Sequence, residues 1–385
     1  MFPVSTSMTP GTPMTPDTLG TPDTPGAPTG RDEASAPPAR SGSSAAHRPE
    51  LRRSVQLLLD ETDDALRRGA RPGAQVWPTG FDLLDSTLDG GLRSGELVLL
   101  GGSEGAGKTT LALQMARNAV CVGRHAVVFS FEHDAHTLIQ RLIALEAATT
   151  AAAEGQHPAA AADVHAIRAV FEAEDPDRRG LADALDRVPY GRAALATVYE
   201  YAPRLHIHES NSTTTTDEVA QVISAVAEEA GEPPMVLVDY LQKIPLHGHD
   251  GDETARVTVV TETLKDMSLE LECPVVCISA SDRESLGAGH RMRTRDLRGS
   301  SALAYEADLV LILSSKEHIV SREHLVYDLG SIQRFRRWAV VTVEKNRHGM
   351  GQVELEIEKD FEHGRFDPRA QVVTERLIEE RVHTT

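Results

Sequence analysis

The sequence predicts an α/β fold whose central sheet is mostly parallel. Short apolar runs alternate with helical patterns between residues 96 and 308, as strands and their covering helices do in such a fold. One of these runs, 97–100, leads into a glycine-rich loop that opens a helical pattern, which is the context of a phosphate-binding loop. With 385 residues, 40% of them hydrophobic, the chain can bury a core in one large domain or two ordinary ones.

The two ends of the chain are predicted to be tails. Residues 1–48 are dominated by Thr, Pro, Ser, Gly and Ala, which cannot bury enough surface to offset the entropy of ordering, so we expect disorder. The repeated Thr-Pro steps there suit either proline-directed phosphorylation or a plain solvated tail. Residues 49–70 are predicted as an amphipathic helix within a linker, 49–76, that docks on its own core or on a neighbouring subunit. Residues 368–385 are predicted as a polar C-terminal tail.

The predicted core, residues 77–367, contains a series of apolar runs that fit buried strands. These runs cover residues 97–100, 126–131, 204–208, 235–240, 274–280 and 308–313. Two later runs, 338–344 and 352–357, are joined by a glycine-rich turn and predict a C-terminal hairpin that extends the sheet.

Composition limits the class of protein. The formal charge of −19 argues against a surface that coats nucleic acid indiscriminately, although it is compatible with a local basic channel. The three cysteines lack zinc-type spacing, so no structural zinc is expected, and their small number fits a reducing cytoplasm. No apolar run approaches the length of a membrane span and the N-terminus has no signal pattern, so we expect a cytoplasmic protein without a membrane partner.

The phosphate-binding loop is the most specific motif. Its glycines let backbone N–H groups turn inward around an anion, and the following helix aims its positive end at the same place. We expect Lys108 to reach the β- and γ-phosphates of ATP and Thr109 to ligate Mg²⁺. The predicted nucleotide-binding residues are Gly102, Ser103, Glu104, Gly105, Ala106, Gly107, Lys108, Thr109 and Thr110.

Two carboxylates follow apolar strands where they would join this loop. Asp239 ends the run that starts at residue 235, and at the C-terminal edge of a parallel strand it would hold Mg²⁺; its alternative role is a helix cap. Glu132 follows the run 126–131 and is the candidate base or orienter for an attacking water, the alternative being an ordinary exposed acid.

Two basic stretches complete the candidate site. Lys345 and Arg347 alternate after a strand and project the same way, which suits either finger residues that reach a phosphate across a subunit boundary or a basic surface turn. Arg298 and Gly299 follow further arginines at positions 291, 293 and 295. This stretch suits the backbone phosphates of single-stranded DNA, and a solvated loop is its alternative.

Taken together, the motifs resemble a known family over residues 50–367. They occur in one order: 78–81, the phosphate-binding loop, 129–132, 238–242, 296–308 and 345–349. The chain is similar to the RecA-like C-terminal motor domain of DnaB-type replicative DNA helicases. The resemblance implies a RecA-like P-loop NTPase core in a hexameric ring, which hydrolyses ATP at subunit interfaces and threads single-stranded DNA through its centre.

By motif position, the resemblance also implies roles for individual residues. It implies that Lys108, Thr109 and Asp239 bind nucleotide and Mg²⁺, and that Glu132 is the catalytic carboxylate. It further implies that Lys345 and Arg347 act as fingers in trans, that Arg298 and Gly299 lie on a DNA-facing loop, and that helix 49–70 docks on the neighbouring subunit.

The sequence departs from the family pattern in three places. The family's helical primase-recruiting N-terminal domain is expected to be missing, with the Thr-Pro tail in its place. Ala280 stands where the family typically has a glutamine that senses the γ-phosphate, and the acidic loop 247–253 would repel DNA phosphates. The leading hypothesis is therefore an ATP-driven DNA helicase-like motor, specialised relative to its family. Its alternatives are a RadA-like recombination ATPase and a nucleotide-gated regulatory or scaffold protein without unwinding activity.

Overall fold

The computed structural model describes residues 54–69, 73–174, 180–246, 252–281, 291–321 and 329–378, in two units, 1–72 and 73–385. The tail predicted over residues 1–48 lies outside the described residues. In the first unit, helix α1 (Val55–Arg67) begins after Ser54, whose side chain accepts a hydrogen bond from the Leu57 N–H at 3.1 Å. None of the α1 side chains is buried, and several large apolar ones are exposed: Val55, Leu57, Leu58, Leu59 and Leu66.

The second unit alternates strands and helices as the sequence predicts. Its described strands are β1 (Val76–Trp77), β2 (Leu92–Arg93), β3 (Leu97–Gly102), β4 (Ala126–Ser130), β5 (Leu205–Glu209), β6 (Met235–Asp239), β7 (Val275–Ile278), β8 (Leu309–Ser315), β9 (Trp338–Asn346), β10 (Val353–Asp360), β11 (Arg365–Phe366) and β12 (Gln371–Val372). Its described helices are α2 (Asp82–Thr87), α3 (Lys108–Cys121), α4 (Ala135–Ala153), α5 (Val164–Glu172), α6 (Leu181–Leu185), α7 (Gly191–Tyr201), α8 (Thr216–Ala230), α9 (Glu253–Glu270), α10 (Ser300–Glu306), α11 (Lys316–Ile319) and α12 (Leu329–Arg336).

One large sheet organises this unit, in the order β11-β10-β9-β8-β3-β7-β6-β4-β5, with β12 paired to β10. Neighbours from β8 to β5 run parallel, whereas β9 is antiparallel to both β8 and β10. The predicted α/β class, the mostly parallel sheet and the C-terminal hairpin are therefore confirmed. No described helix combines the length and the apolar character that a membrane crossing needs.

The central strands are buried on both faces, which explains their continuous apolar runs. Every residue of β3, β4, β6 and β7 is buried. On one face, Val98 and Leu100 join the core that contains α3, and on the other, Leu97 and Leu99 join the core that contains α8 and α9. The sheet is thus a rigid platform whose strand ends carry the site.

The segment predicted as a polar C-terminal tail, 368–385, is partly built into the sheet. β12 pairs with β10, and Leu377 is buried in a small cluster with Phe335 and Val340. Both residues of β12 are exposed, as expected for a short edge strand, so this stretch reads as polar in sequence although its backbone is paired. Between residues 368 and 378 the expectation of a tail is therefore corrected.

Candidate functional site

The phosphate-binding loop and the two predicted carboxylates meet at one edge of the sheet. The neighbouring order β3-β7-β6-β4 brings together the carboxyl ends of parallel strands. The loop follows β3, Asp239 is the last residue of β6, and Glu132 lies two residues beyond β4. Ser130 is level with Asp239 in the strand register, and the Phe131 N–H donates to the Asp239 carbonyl at 2.8 Å. Residues distant in sequence therefore share one small region.

Gly107 shapes the start of α3. Its φ of 96° lies in the left-handed region that favours glycine, and an added Cβ would come within 2.7 Å of Phe361 and 2.9 Å of Phe366. Within the described residues no side chain caps the N-terminus of α3. The N–H groups of its first turn are consequently available to an anion, as a phosphate-binding loop requires.

Lys108 and Thr109 are held by contacts inside the site. The Lys108 Nζ donates to the Gly102 carbonyl at 2.8 Å and to the Ser103 carbonyl at 3.0 Å. Burial lowers the pKa of Lys108, while the nearby carboxylates Asp239 and Glu132 oppose that change. The Thr109 hydroxyl donates to Asp239 Oδ2 at 2.8 Å, which joins the loop to β6. The helix start and the strand-terminal acid therefore form one unit.

Asp239 has the features of a metal-binding carboxylate. It is only 2% exposed, and its Oδ1 has no hydrogen-bond partner among the described residues. Burial raises the pKa of Asp239 to about 6, and the hydrogen bond from Thr109 partly counteracts burial. A buried carboxylate oxygen without a partner is costly unless a cation or donor compensates it. Together with the Thr109 hydroxyl it offers hard oxygen ligands of the kind that Mg²⁺ prefers.

Glu132 and Arg141 flank this pair with opposite charges. Glu132 is exposed and close enough to Asp239 to raise the pKa of that carboxyl, whereas Arg141 on α4 lowers it. Burial lowers the pKa of Arg141 itself. Arg141 was not predicted from the sequence, because an arginine within a helix belongs to no local motif. Its only sequence signal is that its helix directly follows Glu132.

Phe361 is a second site residue that was not predicted from the sequence. It follows β10, packs edge-to-face on Phe366 with ring centroids 5.3 Å apart, and lies against Gly107. Its side chain is nevertheless 42% exposed. An exposed aromatic face beside a phosphate-binding loop can stack against the base of a nucleotide. Only the pairing of β10 with β11 brings it there, so the sequence around residue 361 gives no indication of this position.

Lys345 and Arg347 lie at the opposite edge of the sheet. Asn346, between them, pairs with Leu309 at the start of β8, whereas Gly102 at the end of β3 pairs with Leu313. Four residues along a strand correspond to about 13 Å. Lys345 donates to the carbonyls of Ala304 (2.9 Å) and Tyr305 (3.2 Å) at the end of α10. Burial and the neighbouring Arg347 lower the pKa of Lys345.

Arg298 and Gly299 lie where α10 begins. Arg298 is 52% exposed and forms an ion pair with Glu253 at 2.7 Å. Gly299 has a φ of 86°, and an added Cβ would meet Val257 on α9 at 2.6 Å, so the close approach of two helices requires glycine there. The acidic loop predicted over residues 247–253 lies outside the described residues up to position 251, but Glu253 is described.

Gln242 connects the Arg298 segment with the nucleotide edge. Its Nε2 donates to Ser279 Oγ at 2.9 Å and to the Arg298 carbonyl at 3.3 Å. Its Oε1 accepts from the Ala280 N–H at 3.2 Å, and the Arg298 N–H donates to the Ala280 carbonyl at 3.1 Å. Ala280, where the family resemblance led us to expect glutamine, thus makes its contacts through the backbone.

The remaining arginines of the predicted basic stretch do not share a surface with Arg298. Arg291 is buried and bonds Glu354 and Thr342 in the C-terminal hairpin. Arg293 pairs with Glu344 at 2.6 Å. The expectation that this whole stretch contacts DNA phosphates is therefore wrong for Arg291 and Arg293, since carboxylates of β9 and β10 already bind them.

Comparisons with known proteins agree with this architecture. The sequence model of the DnaB-like helicase C terminal domain family matches residues 77–366. The replicative DNA helicase DnaB of Haemophilus influenzae is 27% identical over 321 residues, which cover 82% of this chain and 60% of that protein. The DnaB of Rhodothermus marinus is 30% identical over 309 residues, covering 77% of this chain and 28% of that protein. The chain thus spans about 60% of the length of its Haemophilus relative.

Two solved structures are similar at the level of the fold. One is a helicase ATPase domain with a TM-score of 0.60 and 19% sequence identity, for which 81% of this chain and 98% of that chain are covered. The other is a DnaB-like replicative helicase whose interactions with primase were studied. Its TM-score is 0.58 at 19% identity, with 82% of this chain and 67% of that chain covered.

Proposed function

Because the chain belongs to the DnaB-like helicase C-terminal domain family, we propose that it is an ATP-hydrolysing motor that acts on single-stranded DNA. The observation that carries the proposal is the division of one catalytic set between two edges of the sheet. The phosphate-binding loop, Asp239 and Glu132 lie at one edge, and Lys345 and Arg347 lie at the other. Each half is incomplete for phosphoryl transfer by itself.

ATP binds at the start of α3 in this proposal. The backbone from Gly102 to Thr110 surrounds the phosphates, and Lys108 exchanges its contacts with the loop carbonyls for the β- and γ-phosphates. The exposed face of Phe361 stacks against the adenine ring, which its position beside Gly107 supports.

Thr109 and Asp239 would hold Mg²⁺, and the unpaired Oδ1 of Asp239 supports this assignment. The ion supplies charge stabilisation for the phosphates when it is bound. Glu132 orients and deprotonates the attacking water, a role for which an exposed carboxylate beside Asp239 is suited. Arg141 adds positive charge to the same region and offsets the two carboxylates.

Lys345 and Arg347 serve the nucleotide of the neighbouring subunit. Their distance from the loop of their own subunit supports action in trans, because the side chains are shorter than the separation along the sheet. A repeated head-to-tail contact of this kind closes into a ring, and we propose a homohexamer. The exposed apolar side chains of α1 would then dock on the next subunit of the ring.

Single-stranded DNA contacts the segment that contains Arg298 and Gly299. Exposure of Arg298 supports this role, and its ion pair with Glu253 must open before a backbone phosphate can bind. Gln242 and Ala280 connect this segment to the strand that ends in Asp239, so the contacts for communication between DNA and nucleotide are present.

The domain boundaries proposed from the sequence are a linker over 49–76 and an ATPase core over 77–367. A cytoplasmic location is part of the same proposal, and the free thiols Cys273 and Cys277, both buried, are compatible with a reducing compartment.

The proposal is tested by sedimentation of the purified protein with ATP and a DNA oligomer, together with ATPase assays with and without single strands. We expect a ring-sized particle and faster ATP turnover on DNA. Arg347→Ala should retain nucleotide binding and lose turnover. A protein that stays a single subunit in all these conditions would contradict the motor assignment, and turnover indifferent to DNA would favour a nucleotide-gated scaffold.

A further inference from the structure

Asp308 is a buried carboxylate that carries two cations. It precedes β8, is 4% exposed, and accepts from the Lys265 Nζ at 2.8 Å and from the Leu97 N–H at 2.8 Å, both on Oδ2. Its other oxygen, Oδ1, accepts from Arg347 Nη1 at 3.0 Å. The two oxygens thus have separate tasks: Oδ2 ties β3 to α9, and Oδ1 faces Arg347.

Arg347 is fixed from several directions at its base. Its N–H donates to the Asp308 carbonyl at 2.9 Å, and its Nη2 donates to the Tyr305 carbonyl at 3.0 Å. The guanidinium is planar and presents its donors in a rigid fork, so two fixed acceptors determine its orientation. Its side chain is nevertheless 45% exposed, so part of the guanidinium faces outward.

A charged and buried partner is an expensive way to hold a surface arginine. An exposed ion pair contributes little to stability, and a buried carboxylate must be compensated on both oxygens. Lys265 already provides a full positive charge on Oδ2. The arrangement on Oδ1 is therefore explained better by a need to orient Arg347 than by a need to stabilise the fold.

We propose that Asp308 is a positioning residue for ATP hydrolysis, which directs the Arg347 guanidinium of one subunit toward the nucleotide of the next. The inference rests on the proposed function, because it assumes that Arg347 acts on a phosphate in trans. Asp308 itself touches neither nucleotide nor water in this scheme. It acts by restricting Arg347 to the orientation from which the finger reaches the phosphate.

The expected effect follows from geometry. Asp308→Asn keeps the volume of the side chain but replaces the charge-assisted bond to Arg347 with a weaker, neutral one. A catalytic group misplaced by about 1 Å loses on the order of 100-fold in rate. We expect kcat to fall roughly 10- to 100-fold while KM for ATP and nucleotide affinity stay close to those of the unaltered protein.

The test is a double-mutant cycle on the full chain, with kcat, KM and thermal melting measured for Asp308→Asn, Arg347→Ala and both together. If Asp308 acts through Arg347, its substitution lowers kcat in the unaltered background and has no further effect when Arg347 is absent. An equal loss in both backgrounds would overturn the inference and make Asp308 purely structural. Lys265→Met is the matched control, because it removes the cation on Oδ2 and should lower the melting temperature without lowering kcat.

The outcomes separate this inference from the proposed function. Unchanged turnover in Arg347→Ala would refute the finger itself. Loss of turnover in Arg347→Ala but not in Asp308→Asn would refute only the positioning role. Should Asp308→Asn not fold, Arg347→Lys decides the question, since an ammonium cannot satisfy Asp308 and the Tyr305 carbonyl in the same fork. Turnover restored by lysine would overturn the inference, and a loss close to that of alanine would support it.

Discussion

Replacement of Asp239 by asparagine should make the nucleotide-free protein more stable and inactive. The Asp239 carboxyl is buried, and its pKa is raised to about 6 from its ordinary value of 3.8. The folded protein therefore binds this proton more readily than the unfolded chain does. Ionisation of Asp239 in the folded state costs stability, and the cost grows as pH rises through the interval between those two pKa values.

The magnitude follows from the same two pKa values. Their difference corresponds to up to about 3 kcal/mol of unfolding free energy at pH 8, and to about half of that at pH 5. Asp239→Asn removes this cost and can keep the hydrogen bond from Thr109, which needs only an acceptor. The stability gained should consequently be larger at pH 8 than at pH 5, whereas ATP hydrolysis should be lost.

The assay is urea unfolding of the nucleotide-free protein at pH 5 and pH 8, for both forms. Asp85→Asn is the control, because its pKa is also raised by burial although its oxygens accept from Thr79 and Gly80. Loss of an acceptor makes that variant less stable. If Asp239→Asn is less stable than the unaltered protein at pH 8, the assignment of a buried, uncompensated carboxylate is refuted.

Three further predictions follow from the site. Glu132→Gln should reduce kcat by on the order of 100- to 10,000-fold and leave ATP binding intact, because a carboxamide cannot accept the proton of water. Phe361→Ala should raise KM for ATP about 10-fold through the loss of a stacking surface, whereas Met350→Ala, another exposed apolar residue, should not. Glu253→Gln should tighten single-stranded DNA binding several-fold at low salt by releasing Arg298, and Glu270→Gln at the other end of α9 is its control.

Each of these has a clear contrary result. Normal turnover in Glu132→Gln would assign water activation to another group. An equal effect of the substitutions at Phe361 and Met350 would remove the base-stacking role. Weaker DNA binding by Glu253→Gln would show that the ion pair holds Arg298 in its binding conformation and does not compete with phosphates.

The sequence predicts the sheet well because the physical signals are local. Strands buried on both faces appear as continuous apolar runs, and the loop between β3 and α3 carries its own glycine pattern. The positions of Asp239 and Glu132 follow from a general property of parallel sheets, in which strand ends meet at one edge. These features require no knowledge of tertiary contacts.

Other parts of the site depend on contacts that no local pattern encodes. Phe361 reaches Gly107 only because β10 turns back through β11, and Asp308 meets Arg347 only because β8 and β9 pair antiparallel. Charge alone is also misleading at Arg291, since the sequence cannot show that Glu354 binds it. Short edge strands such as β12 carry few apolar residues and are easily mistaken for tails.

The central claim is that one subunit completes the active site of the next, and a mixing experiment tests it most directly. Lys108→Ala removes nucleotide binding and Arg347→Ala removes the finger, so neither variant should hydrolyse ATP alone. In a mixed ring at equal amounts, about a quarter of the interfaces pair an intact loop with an intact finger. We expect ATP turnover to reappear on mixing. Mixed rings, verified by sedimentation, that remain inactive would contradict the claim.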